Sequence, residues 1–222
     1  MLANNLLSVV AAMLGMVRGA PTSSAATTLA VTDGMVPVNT TMPDGTVKVV
    51  WLHKAFQPVA GPAQASHLEG RMKWNPNGNP NQCGESTFTD MTTLGSPDQG
   101  DCQVIINQMV SGPGYWQLLQ GGDLHANGDW CRVAYHGSCV FGVKTTVIFG
   151  LFIGSNDISD VVIEAMKLRK GDPRVQFEGS MPCNSPNGQG GDDPKQPHTT
   201  TKWALFKPLA GVAPAQLGNG TL

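Results

Sequence analysis

Five cysteines are the feature that most restricts how this 222-residue chain can fold. They stand far apart, at Cys83, Cys102, Cys131, Cys139 and Cys183. No CxxC pair or His-x3-His spacing accompanies them, so a zinc site is not indicated and we expect neither a metal nor a cofactor. In an oxidising compartment such a set forms disulfides, and the odd count leaves one thiol unpaired, buried or bonded to another molecule.

The N-terminus predicts that the chain enters such a compartment. Residues 6–17 form an apolar run that is too short to span a bilayer as a mature helix. Small residues follow it, which is typical of a signal peptide over residues 1–19 with cleavage after Gly19 or Ala25. The alternative is a buried helix, but no cap or polar face accompanies the run. We therefore expect a secreted, extracellular protein.

Composition narrows the classes of partner. The formal charge of −2 gives no basic surface for nucleic acid or for an anionic membrane, so we expect no nucleic-acid partner. The length suits one domain with tails, and we expect a monomer. The sequons at 39–41 and 219–221 fit secretion and predict glycosylation of Asn39 and Asn219.

Turn-forming residues divide the chain. We predict a loosely structured leader over 20–73, in which the β-branched run at 46–53 is a possible edge strand or docking segment. Asparagine, proline and glycine alternate at 75–80, and the compact domain is expected to span 74–208. A flexible tail over 209–222 follows.

Two amphipathic helices are predicted within this domain. The first follows Asp101 as N-cap, and the second follows Asn156 or Asp157. Both place apolar side chains on one face at helical spacing: Cys102, Ile105, Ile106, Met109 and Val110, then Ile158, Val161, Val162, Ala165 and Met166.

Several short apolar runs are predicted strands. They lie at 115–119, from Trp130 onward, at 139–143, 145–153, 175–177 and 201–206, with a long exposed loop over 184–197. The runs at 139–143 and 145–153 are expected to pair with each other. The sequence thus predicts an α+β fold, with a mostly antiparallel sheet, two helices packed on one face and disulfide staples.

The order of these motifs is similar to a known pattern. The residues that carry it are Cys83-Gly84 with Ser86 and Phe88, Asp101-Cys102, Trp116, Gly137-Ser138-Cys139-Val140-Phe141, Ile153-Gly154 with Asp157-Ile158 and Asp160, Gly179-Ser180-Met181-Pro182-Cys183, and Trp203-Ala204-Leu205-Phe206. Over about 74–208 the chain resembles the fungal putative necrosis-inducing factor family. The resemblance implies a secreted effector-type domain with a fold related to fungal killer toxins, and it supplies no catalytic residues.

The family pattern contains four of the five cysteines, and Cys131 is an additional cysteine that the pattern lacks. We expect Cys83 to pair with Cys183, which would tie the first segment of the domain to a late strand. Cys102 would pair with Cys139 and join helix to sheet. A competing assignment pairs Cys102 with Cys131, and spacing alone does not decide between them.

Polar side chains offer a rival, enzymatic interpretation. His125 and His136, with Arg132 and Glu178, are the residue types of a small secreted ribonuclease, although no motif fixes their spacing. A second set, Asp157, Asp160 and Glu164, lies on one face of the second helix and is more simply explained by the positive end of its dipole.

Tryptophans suggest a third possibility, a protein bound to cell-wall glycans. Trp116 and Trp203 are expected in the core, whereas Trp74 and Trp130 are the candidates for exposure. The preferred hypothesis remains a non-enzymatic secreted effector or toxin-like protein that acts on a host or competitor by binding a surface molecule. Its target, a protein, glycan or membrane component, is not specified by any motif.

Overall fold

The computed structural model describes residues 35–53, 73–118, 130–144, 150–185 and 198–208. These residues form ten strands and two helices. In chain order the elements are β1 (Met35–Thr41), β2 (Val47–His53), β3 (Lys73–Asn75), β4 (Thr89–Asp90), α1 (Gln99–Ser111), β5 (Tyr115–Leu118), β6 (Cys131–His136), β7 (Cys139–Lys144), β8 (Leu151–Gly154), α2 (Ser155–Leu168), β9 (Phe177–Asn184) and β10 (His198–Phe206).

The strands form two antiparallel sheets. The larger has the order β1-β2-β6-β7-β10-β9-β4, and the smaller has the order β3-β5-β8. Helix α1 packs against β1, β2, β6 and β7 on one face of the larger sheet, and α2 packs against α1 and β8. This arrangement confirms the predicted fold class.

The core lies between the helices and the larger sheet. Ile105 and Met109 of α1 and Ile158 of α2 are almost fully buried, as the helical spacing predicted. Each such side chain contributes about 1.5–3 kcal/mol of transfer free energy on burial. Trp116 and Trp203 are also fully buried.

Helix α1 begins one turn earlier than predicted. Asp98, rather than Asp101, is the N-cap, and its Oδ1 accepts the N–H of Gly100 at 2.8 Å. Asp101 instead accepts the N–H and the hydroxyl of Ser138, at 2.6 and 2.7 Å, in the turn between β6 and β7. That turn needs glycine at Gly137, where φ is +56° and a Cβ would lie 2.4 Å from the Asp101 carboxyl.

Helix α2 also begins before its predicted caps. Gly154 is the N-cap, and Asn156 and Asp157 lie inside the first turn. A Cβ on Gly154 would lie 1.7 Å from the carbonyl oxygen of Pro80, so only glycine lets the two segments approach this closely. The prediction of Asn156 or Asp157 as N-cap was wrong because the start of α2 depends on this contact with Pro80, which is far from the helix in sequence.

One predicted strand pairing is wrong. Strand β7 pairs with β6 and β10, whereas β8 pairs with β5 in the smaller sheet, so 139–143 and 151–153 do not form a hairpin. Residues 145–149 and most of the predicted loop at 184–197 lie outside the described residues. The late strands are longer than predicted, with β9 running from Phe177 to Asn184 and β10 beginning at His198.

Part of the predicted leader belongs to the sheet. Strands β1 and β2 form a hairpin, and β2 pairs with β6 through Trp51 and Leu52. The hairpin packs on α1, where the buried Thr40 hydroxyl donates to Oε1 of Gln108. The prediction of a loosely structured leader is therefore wrong for residues 35–53. The possible strand at 46–53 is present as β2, but β1 rather than β2 forms the edge of the sheet. The predicted signal peptide and tail lie outside the described residues.

The two disulfides join the expected partners. Cys83 is bonded to Cys183, with their Cα atoms 4.0 Å apart, and Cys102 to Cys139 at 5.3 Å. Cys131 is buried, and because Cys102 is bonded to Cys139 the competing pair of Cys102 and Cys131 is absent. One bridge thus joins α1 to β7, and the other joins β9 to the segment before β4.

Candidate functional site

A cavity of about 430 Å³ lies between α2 and the segment that enters β4. The side chains of Phe88, Val161 and Met181 give it apolar walls. Cys83 also lines it, so the Cys83–Cys183 disulfide is part of the wall. The cavity is therefore built by residues distant in sequence and held together by a covalent bond.

Asp157 is the most heavily engaged carboxylate of this cavity. Its Oδ2 accepts the N–H of Gln82 and the N–H of Gly154, each at 2.8 Å. Burial raises its pKa to about 6, while hydrogen bonds from the N–H groups of Gln82, Gly154 and Cys83 oppose the shift and the charge of Asp160 adds to it. The position of Asp157 at the positive end of the helix dipole therefore does not fully explain this residue. Its carboxylate also joins the start of α2 to the segment at Gln82.

Three further carboxylates line the cavity. Asp160 and Glu85 are exposed, and Glu164 is half-buried with an ion pair to Lys167 at 3.1 Å. Exposed pairs of this kind contribute little stability, at about 0–1 kcal/mol. The opening of the cavity is thus predominantly acidic, which suits a polar partner with donor groups.

A hydroxyl in the same wall is already committed. Ser86 accepts a hydrogen bond from Nε1 of the buried Trp203 at 2.6 Å and lies close to the carbonyl of Thr87 at 3.2 Å. Among the described residues that line the cavity, there is no histidine that could activate the Ser86 hydroxyl as a nucleophile. Sequence reasoning missed Glu85, Ser86 and Phe88 as one wall; their nearness to Cys83 was the available signal.

The larger sheet separates the residues of the ribonuclease hypothesis. Arg132 lies opposite Gly142, whereas His136 lies opposite Cys139. A β-bulge between Arg132 and Ala134 shifts the register by one residue, so the two side chains lie on different faces of the sheet. Glu178 is on β9, three strands away from β6, so about 14 Å separates their backbones. His125 lies outside the described residues.

The remaining predicted residues are dispersed. Trp74 is half-buried and packs on Trp116 with ring centroids 4.3 Å apart. Trp130 is half-buried near β7 and β10. Asn39 is exposed on β1, and Asn219 lies outside the described residues.

In the described part of the chain, no cluster of three or more His, Cys, Asp or Glu side chains could hold a metal ion. In the same residues, no helix is long and apolar enough to cross a bilayer.

Comparison with curated proteins gives two relatives from Penicillium expansum. The chain is 27% identical over 150 residues to the "Probable chitinase LysM18". This alignment covers 66% of this chain and 10% of that protein. The chain is 31% identical over 130 residues to the "Secreted chitinase LysM12", covering 55% of this chain and 7% of that protein. The chain thus spans about a tenth or less of the length of these relatives.

Comparison with family models identifies the segment that contains the cavity. Residues 82–183 match the family described as "Pathogen effector; putative necrosis-inducing factor". The match begins at Gln82, ends at Cys183, and includes both disulfides, but it excludes the β1–β2 hairpin and β10. Over residues 82–183, a little under half of the chain, the sequence is thus similar to that pathogen-effector family, the one its cysteine, glycine and tryptophan pattern resembles.

Proposed function

We propose that this protein is a secreted effector that acts on a host or a competing microbe by binding a surface molecule, without catalysis. The observation that carries the proposal is that the family match coincides with the disulfide-bounded part of the fold. Disulfide-stapled domains suit an oxidising environment outside the cell. One relative is named a secreted chitinase, which also supports an extracellular location.

The cavity beside Cys83 supports recognition better than chemistry. Its one carboxylate with a strongly raised pKa, Asp157, is held by backbone N–H groups, so that side chain is committed to the fold. Asp160 and Glu164 line the cavity from the next turns of α2. Asp160 is exposed, and a partner with donor groups can replace Lys167 in the weak, exposed ion pair of Glu164. Because the disulfide and the Asp157 hydrogen bonds fix the walls, a partner would lose little free energy to ordering them.

Infiltration of purified protein into plant leaf tissue tests the effector activity. We expect the wild-type protein to cause a response, and the Asp160→Asn, Glu164→Gln double variant to weaken it without losing its fold. The matched control is the Asp44→Asn, Asp172→Asn double variant, which removes two charges elsewhere. An equal response to all three proteins would remove the cavity from the proposal.

A separate assay tests the absence of catalysis. Purified protein is incubated with RNA at mildly acidic pH and with chitin oligomers, beside a His125→Ala, His136→Ala double variant. We expect no turnover by either protein. Cleavage of RNA that disappears in the double variant would replace the effector proposal with the ribonuclease one, and cleavage of chitin would replace it with a hydrolase of glycans.

Binding to a cell-wall glycan is the second candidate function. It is favoured by the relatives, which are named chitinases. Co-sedimentation with insoluble chitin and glucan tests this candidate, and protein that remains entirely in the supernatant would contradict it.

A further inference from the structure

A smaller groove lies on the face of the larger sheet that α1 does not cover. Its volume is about 210 Å³, and Lys144, Lys202, Ser180, Glu178 and Trp130 are among the residues that line it. They come from β7, β10 and β9 and from the residue before β6. The groove is thus distinct from the cavity beside Cys83.

The register of three strands sets the order of these side chains. Lys202 of β10 lies directly opposite Lys144 of β7 and, on its other side, opposite Ser180 of β9. Directly opposed residues share a face, with Cβ atoms about 4.5–5.5 Å apart. The hydroxyl of Thr87 lies 3.1 Å from that of Ser180 and continues the row. The side chains of two lysines and two hydroxyl residues therefore leave the sheet from neighbouring positions in one row.

The two lysines form an unfavourable pair in the free protein. Like charges directly opposite each other destabilise a sheet by a few tenths of a kcal/mol to about 1 kcal/mol. Among the described residues, no carboxylate is placed within ion-pair distance of either lysine. Such a local conflict is typical of a functional position, and an anion between the two lysines would relieve it.

The aromatic wall makes a sugar a better ligand than a bare anion. The Nζ atom of Lys144 lies 4.4 Å from the ring centroid of Trp130, which holds this ammonium group beside an apolar surface. A pyranose ring offers both apolar C–H groups and hydroxyls, and Ser180 and Thr87 can exchange hydrogen bonds with the latter. Glu178, two residues along β9, repels a carboxylate at that end and can accept from sugar hydroxyls.

We propose that this groove binds an acidic polysaccharide, with a uronate carboxylate between Lys144 and Lys202 and the sugar ring beside Trp130. The inference deepens the binding function proposed above and rests on it. A membrane would require exposed apolar anchors, yet none of the exposed large apolar side chains among the described residues lines the groove. A nucleic acid would require a broader basic surface than one lysine pair.

Calorimetric titration of the full, disulfide-bonded protein with a short oligogalacturonate tests the proposal. Because a hydrogen bond to a charged group contributes about 1.5–3 kcal/mol, we expect about a tenfold or greater weakening for each of Lys144→Gln and Lys202→Gln. The Lys202→Arg variant keeps the charge and should retain most of the affinity. Raised ionic strength should weaken binding by the wild type more than by the double Gln variant.

A matched control and a second measurement separate a binding role from a structural one. The Lys48→Gln, Lys73→Gln double variant makes the same change of net charge at exposed positions on β2 and β3, and it should bind as the wild type does. The Lys202→Gln protein should have a melting temperature equal to or above that of the wild type, because a like-charge contact is removed. A lowered melting temperature would assign Lys202 to the fold and overturn the proposal.

Other outcomes are equally decisive. Absence of oligogalacturonate binding, unchanged binding by the double Gln variant, or equal binding of neutral chitin hexamers would overturn the proposal. Equal affinity for anionic lipid vesicles or inorganic phosphate would show that the sugar is not recognised and would also overturn it. None of these results tests catalysis or the response of leaf tissue. If the groove does not bind the oligogalacturonate, the effector proposal is still decided by the infiltration and turnover assays.

Discussion

The Asp157 carboxylate accepts the backbone N–H of Gln82 at 2.8 Å, although 75 residues separate them in the chain. The same oxygen accepts the N–H of Gly154 at the start of α2. One side chain therefore fastens the segment that carries Cys83 to the helix that forms the opposite wall of the cavity. The Cys83–Cys183 disulfide fixes that segment a second time, on the side of β9.

Asp157 should make the stability of the protein depend on pH. Its pKa of about 6 in the folded protein exceeds the ordinary value of 3.8. The protonated form is thus favoured by folding, and this contribution is complete below pH 3.8 and is lost as the pH rises through about 6. At 1.36 kcal/mol per unit, the free energy of unfolding should fall by about 3 kcal/mol across that window.

The Asp157→Asn variant should lack this decline. Its amide oxygen can still accept the two N–H groups of Gln82 and Gly154, so the fold is retained. Urea unfolding between pH 4 and 7 measures the difference, with the exposed Glu178→Gln as control. The lowered pKa values of Asp44, Asp90 and Asp172 act in the opposite direction, at more acid pH, and leave this window clear. Parallel pH profiles of wild type and Asp157→Asn would contradict the prediction.

The sequence predicted both helices but not their first residues. Apolar spacing determines which face of α1 and α2 is buried, and it could be read directly. Asp98 and Asp101 are both acceptable N-caps in isolation, and Ser138, which binds Asp101, decides between them from the turn after β6. Local patterns specify helical periodicity, whereas tertiary contacts select the boundary.

The candidate cavity was less predictable for the same reason. The acidic face of α2 is visible in the sequence, but its opposite wall at 81–88 has no periodicity that marks it. Strand β1 contains Pro37, which does not suggest a strand until β2 is seen to pair with it. The apolar run at 151–153 likewise carries no signal of which sheet it joins.

The two disulfides should differ in their resistance to reduction. Cys83 is half-buried and lines the cavity, whereas Cys102 and Cys139 have no exposed surface. Mild reductant under native conditions should therefore open the Cys83–Cys183 bridge first. Alkylation followed by peptide mapping should label Cys83 and Cys183 before the other pair. Simultaneous labelling of all four would show that reduction requires global unfolding instead.

Loss of either bridge should also lower stability. The bridges close sequence separations of 100 and 37 residues, for which the chain-entropy model gives about 4–5 kcal/mol each before strain. Paired Cys→Ala variants, one for each bridge, measure this by denaturant unfolding. Unchanged midpoints in either variant would contradict the role of that bridge as a staple.

The buried contact between Thr40 and Gln108 should hold the β1–β2 hairpin on α1. The Thr40→Val variant keeps the shape of the side chain but leaves Oε1 of Gln108 without its donor. An unsatisfied buried acceptor costs about 1–3 kcal/mol, which should appear as a lower denaturation midpoint. The exposed neighbour Thr41→Val is the control and should unfold as the wild type does, when both are made without glycosylation. Equal midpoints for the two variants would refute this role.

The position of Asn39 predicts what a glycan there would do. Asn39 is exposed on the edge strand β1, directly opposite Val49, and Thr41 of the same sequon is opposite Val47. These valines are 41% and 60% exposed, beside a strand whose outer edge has no partner strand among the described residues. Exposed apolar edge strands favour association between chains. A glycan on Asn39 should therefore suppress self-association.

Secretion from a yeast host tests this prediction. The wild-type protein should lose mass on enzymatic deglycosylation at Asn39 and then self-associate more strongly in analytical ultracentrifugation. Both Asn39→Gln and Thr41→Ala should lack the glycan and associate in the same way, which assigns the effect to the sugar because Thr41→Ala leaves Asn39 in place. Adding Val47→Thr and Val49→Thr should restore the monomer, since the apolar surface is then removed. An unglycosylated Asn39 in the secreted protein, or monomeric Asn39→Gln, would contradict the prediction.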